Sequence, residues 1–166
     1  MGRLPDTFAG QRITARFPYT MPGELQIGFA QSGVIFPDVT FTNTTDKPFE
    51  IHRLIPWVAA LDANRVLLNP QPDQLDILEA LVRLDIVDFR TDMKLTKSPT
   101  LIRDLVKGFS EKTWEWAEPY PMPNSGGFQI AVTTLANPIE SSITSLRVEL
   151  TFQGFLIQIA PPSDSR

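Results

Sequence analysis

Leu146-Arg147-Val148-Glu149-Leu150-Thr151-Phe152-Gln153-Gly154-Phe155-Leu156-Ile157-Gln158-Ile159 alternates apolar and polar side chains with a period of two. That period is the mark of a β-strand with one buried face. Up to Phe152 the apolar residues hold even positions, and beyond Gly154 the residues Phe155, Ile157 and Ile159 hold odd ones. A regular strand with a single buried face does not change phase, so one residue must be absorbed, and Gly154 is the expected place for a bulge or bend.

The same period recurs outward from this strand. Ile13, Ala15 and Phe17 alternate with Arg12, Thr14 and Arg16; Leu25, Ile27 and Phe29 with Gln26 and Gly28; Val39 and Phe41 with Thr40 and Thr42. After the turn-rich stretch Asn43 to Pro48, Phe49 and Ile51 resume it, which predicts a hairpin with a longer loop. Trp114 and Trp116, then Phe128, Ile130 and Val132, are also spaced by two. Between Asp73 and Phe89 both periods fit, and the stretch divides into a helical turn near Gln74 to Glu79 and a strand from Ala80 to Phe89. One short helix is expected over about Ser98 to Gly108, with Ser98 as cap, Pro99 at the first helical position and Gly108 closing the end.

Many strands, one helix and no βαβ rhythm predict an all-β fold, an antiparallel β-sandwich of jelly-roll type. The 166 residues suffice for one domain with its own core. The expected division is an extended N-terminal arm over 1–24, the sandwich over 25–160 and a C-terminal tail over 161–166. Pro5, Gly10, Pro18, Pro22 and Gly23 interrupt the arm, leaving Ile13 to Phe17 as an edge strand that a neighbouring chain can complete. The alternative is that these residues pair within their own sheet.

Composition narrows the chemistry. There is no Cys, hence no disulfide, thiol nucleophile or thiolate metal site. Fifteen basic and nineteen acidic residues give a net charge of −4 with no cationic block, so no nucleic-acid partner is expected. Met1 to Thr20 lacks the apolar run of a secretory leader, and the longest apolar stretches fall far short of a membrane span, so no membrane partner is expected either. Without export, the sequon Asn43-Thr44-Thr45 is expected to stay unmodified.

His52, the single histidine, sits beside Glu50 with no serine motif near, and is read as structural. Glu111, Glu115 and Glu118 flank the tryptophans in a pattern a glycosidase could use, but Glu115 should point away from Trp114 and Trp116, and surface charge is the preferred account. Trp114, Trp116 and Tyr120 could form a stacking platform for sugars. A core role for the tryptophans, followed by a rigid proline loop, is preferred. No cofactor is expected. Candidate partner contacts are Arg3, Arg12 and Arg16 on the arm, and Tyr120, Met122 and Asn124 on the proline-rich loop.

Asp38-Val39-Thr40-Phe41-Thr42-Asn43, Lys47-Pro48-Phe49-Glu50-Ile51, Trp114-Glu115-Trp116-Ala117-Glu118-Pro119 and Leu150-Thr151-Phe152-Gln153-Gly154-Phe155-Leu156 follow an extended amino terminus. In that order they resemble the jelly-roll cement or decoration proteins of tailed bacteriophages. The resemblance implies a non-enzymatic protein on the capsid exterior, made in the host cytoplasm. Its partners would be the major capsid protein and neighbouring copies of itself in a homo-oligomer. The alternative is a carbohydrate-binding module of a phage tail or fibre using Trp114, Trp116 and Tyr120.

Overall fold

A computed structural model describes residues 6–28, 39–68, 81–96, 99–106, 113–134 and 143–161. The strands are β1 (Thr7–Phe8), β2 (Gln11–Gly28), β3 (Val39–Thr42), β4 (Phe49–Leu61), β5 (Val82–Asp88), β6 (Met93–Lys94), β7 (Thr100–Leu101), β8 (Trp114–Met122), β9 (Gly127–Thr134) and β10 (Ser145–Ile159). The helix α1 spans Ile102–Leu105. One sheet runs β1-β2-β10-β4-β8, the other β3-β9-β5-β6 with β7 also on β5, and every pairing is antiparallel. The two sheets pack together as the sandwich the periodicity predicts. With β1 and β6 set aside, the eight remaining strands in chain order give 1-8-3-6 facing 2-7-4-5, the paired Greek keys of a jelly roll.

The core lies between the sheets. Leu146, Val148, Leu150 and Phe152 from β10 meet Leu84 and Ile86 from β5 and Phe128, Ile130 and Val132 from β9, all buried. Phe152 packs on Phe128 at 4.9 Å and on Phe41 at 6.2 Å between ring centroids. Gly23 makes room for Phe41, since a Cβ there would lie 1.3 Å from the ring.

The expected hairpin across Asn43 to Pro48 does not form: β3 pairs with β9 in one sheet and β4 with β10 and β8 in the other, so this stretch crosses between the sheets. Three further expectations are corrected. First, the boundary at residue 24 falls inside β2, which pairs with β10 from Ile13 to Gly28, so most of the expected arm is a strand of its own sheet. The ladder runs unbroken through Pro18 and Pro22, and among the described residues only β1, at Gln11 and Arg12, pairs with the other side of β2, where proline removes no bond to β10. Second, the helix is a single turn: Thr100 and Leu101 pair with Leu84 and Arg83 instead. Ser98 and Gly108 lie outside the described residues, as do Gln74 to Glu79.

Third, the irregularity at Gly154 belongs to the neighbouring strand. β10 pairs regularly with β2 through Gln153, Gly154 and Phe155. Against β4, Gln153 faces Arg53 and Gly154 faces Ile51, so the extra residue is His52. β10 keeps its even positions inward through Leu156, which packs against the core. Phe155 and Ile157 are apolar on the outer face, where Phe155 meets the ring of His52 edge-on at 5.3 Å. The glycine is required by close approach of backbone: a Cβ at 154 would lie 1.9 Å from the carbonyl oxygen of Glu50. Gly154→Ala is therefore expected to destabilise the fold by about 1–3 kcal/mol, as overpacking does. Thermal or urea unfolding checks it.

Candidate functional site

The sequence-derived contact residues do not form one surface. Tyr120 and Met122 point between the sheets and are buried, which corrects their reading as contacts. Arg16 reaches across to Glu50, its Nη2 3.3 Å from Oε2. Arg12 is exposed beside β1, Asn124 is exposed in the β8–β9 turn, and Arg3 and Glu111 lie outside the described residues. Trp114 and Trp116 are half-buried against the core with centroids 4.4 Å apart, while Glu115 is exposed, as the alternation predicts. With Tyr120 buried and the two indoles stacked on each other, these three rings form no open platform for a sugar.

Tyr120 is instead a tie between sheets. Its hydroxyl donates to the carboxylate of Asp88, which is itself buried at the end of β5. The other oxygen of Asp88 accepts the amides of Arg90 and Thr91 and so shapes the turn after the strand. Burial works against the charge on Asp88, but the Tyr120 hydroxyl and the two amides more than offset it, and the carboxyl titrates below its ordinary value. Burial, and then the neighbouring Asp88 carboxylate, push the Tyr120 hydroxyl far above its ordinary range. The sequon asparagine is another internal tie. Asn43 is buried, its Nδ2 donates to the carbonyls of Lys47 and Pro123, and its Oδ1 accepts the amide and hydroxyl of Thr45.

His52 sits where both neighbours of β4 lose register. On one side it is the extra residue against β10, and on the other Trp116 to Pro119 stand opposite it in β8. Its Nε2 lies 2.8 Å from Glu50 Oε1, whose second oxygen faces Arg16. The three side chains thus join β2 to β4 across the outer face of β10. Among the described residues no group of three or more His, Asp or Glu side chains is placed to hold a metal ion, and no helix is long and apolar enough to cross a membrane.

Among the described residues the outer face of the β2-β10-β4 sheet forms an ordered surface whose composition follows from the register. Its rows are Gln26, Arg147 and Ala59; Glu24, Glu149 and Trp57; Pro22, Thr151 and Ile55; Thr20, Gln153 and Arg53; then Pro18, Phe155 and Glu50. Trp57 is 40% exposed. Arg147 pairs with both Glu24, at 2.9 Å, and Glu149, and Arg53 Nε donates to Gln153 Oε1 at 2.7 Å. Sequence reasoning missed this face because it took β2 for an arm and did not single out Trp57. The sequence carries little signal for it, because Leu54 to Leu61 is continuously apolar and shows no alternation that sets Trp57 apart. No protein-family model, curated protein or solved structure matches the chain.

Tyr120→Phe is expected to cost about 1–3 kcal/mol, because it leaves a buried carboxylate oxygen without its donor. Since the Asp88 carboxyl is held below its ordinary value, its contribution is complete above the unfolded value of about 4 and is lost as pH falls through the lower folded value. Urea melts of both proteins from pH 7 down to pH 3 should show the parent losing more stability on acidification than Tyr120→Phe.

Proposed function

We propose that the protein is a non-enzymatic structural component of a viral shell that binds the outer capsid surface and bridges neighbouring subunits. The observation that carries this reading is the jelly-roll sandwich whose outer β2-β10-β4 face bears Trp57, Arg53 and Arg147 among polar neighbours, a surface suited to contact between neighbouring copies. Tryptophan and arginine are the residue types in which interface energy concentrates. The resemblance of the strand segments to phage decoration proteins supports the same reading.

Among the described residues the two buried carboxylates serve as ties within the fold. Glu50 is shared by Arg16 and His52, and Asp88 by Tyr120 and two turn amides. Such a protein acts through area and repetition: weak contacts made by many copies on one shell add up through avidity. The proposed partners are the major capsid protein and neighbouring copies of this chain, at the virion exterior.

Quantitative electrophoresis of purified virions, paired with binding of the isolated protein to shells that lack it, tests this. The expected result is a copy number comparable with that of the shell subunits and saturable binding. A handful of copies, or none, together with no binding to such shells, would overturn it.

A further inference from the structure

The rows on the outer face of the β2-β10-β4 sheet change character along the strands. Its rows are disposed about Thr151, with Pro22 and Ile55 beside it on the flanking strands. Two rows of unlike character lie on either side: Glu24, Glu149 and Trp57 toward one end, Thr20, Gln153 and Arg53 toward the other. Beyond these come Arg147 on one side and Phe155 on the other.

We infer that two copies of this chain pack face to face through this surface, about a two-fold axis that lies between the sheets, crosses the strands and passes over Thr151. Such an axis reverses the rows. Trp57 of each copy then meets Arg53 of the other, Glu149 meets Gln153, Glu24 meets Thr20 and Arg147 meets Phe155. The guanidinium of Arg53 is already held by Gln153, 2.7 Å from its Nε, which prepares it to stack on an indole. Every such contact occurs twice, as an isologous interface requires.

The charges choose between the two axes aligned with the rows. An axis along the strands would keep the rows in place and set Glu149 against Glu149 and Arg147 against Arg147, stacking like charges over the middle strand. The crossing axis places each of them against a polar or aromatic side chain instead.

The area sets the strength. The face is closed at one end by buried Ala59 and at the other by buried Ile157. The nine residues Arg147 to Phe155 at ~3.3 Å each, over three strands ~4.8 Å apart, give a footprint of about 400 Å². That is below the ~800 Å² per partner of a standard interface, so the isolated dimer is weak and shell-bound copies hold together by proximity. The inference takes from the functional proposal only that the protein acts in many copies. Its test uses the isolated protein, so failure of shell binding leaves it standing.

The chain contains no Cys, so a single introduced cysteine reports one contact. Thr151→Cys, on the axis, is treated with a bis-maleimide of about 10 Å reach, the spacing of stacked sheets. Thr133→Cys, half-buried in β9 of the other sheet, is the control, and melts of both verify folding. The expected result is covalent dimer from Thr151→Cys at a rate well above the control, falling about tenfold when Trp57→Ala is added. Equal rates from both cysteines, a faster rate from Thr133→Cys, or no effect of Trp57→Ala would overturn the inference.

Discussion

Strand β10 is hydrogen-bonded on both sides, to β2 from Ser145 to Ile159 and to β4 from Ser145 to Leu156. The rest of the molecule depends on this two-sided pairing. It brings the beginning and the end of the chain into one sheet. It also sets a continuous inner row, Leu146, Val148, Leu150 and Phe152, against the facing sheet. Contacts this distant in sequence carry a large loop-closure cost, which the fully buried row must offset. The same register builds the outer face, because side chains alternate strictly: what β10 turns away from the core is the row Arg147, Glu149, Thr151, Gln153 and Phe155.

Apart from Thr14, which is extra where β2 meets the end of β10, the irregularities in this sheet gather at one place. His52 is extra against β10, and the four residues Trp116 to Pro119 stand opposite it in β8. A bulge turns its strand locally and brings backbones close, and Gly154 is the residue that lets β10 pass the carbonyl of Glu50. Over this point Arg16, Glu50 and His52 form one hydrogen-bonded cluster, so the disrupted ladder is bridged by side chains. Prolines occupy both outer strands of the sheet, Pro18 and Pro22 in β2 and Pro119 and Pro121 in β8. They withhold donors that a chance neighbouring strand would pair with. Association through the face, rather than through the edges, is consistent with that arrangement.

Local pattern carried most of the fold. Period two located β3, β5 and β9 and the inward side of each, the start of β4, and β10 with its inward side as far as Phe152, and it placed Glu115 outside and Trp114 and Trp116 toward the core. Side chains whose partners are distant in sequence were not legible. Tyr120 looks like a loop aromatic until Asp88 is found facing it, and Arg16 looks like a free arm cation until Glu50 is. The prolines misled for a related reason. Pro18 and Pro22 end a central strand but not an edge strand, and only the register shows which side of β2 is paired. At Gly154 the position was legible and the cause was not, because the extra residue belongs to the partner strand. The sequon motif likewise carried no sign that Asn43 would be buried among four hydrogen bonds.

Whether β2, residues 11–28, belongs to the sandwich is the point on which the outer face and its rows rest. Native-state hydrogen exchange, resolved by residue, tests it most directly, because protection follows the stability of the unit that must open. The account predicts that the β2 amides between Ala15 and Ile27 that donate to β10 exchange as slowly as the β4 amides on the other side of β10. Fast, loop-like exchange from Ile13 to Pro22, alongside full protection in β4 and β10, would contradict it.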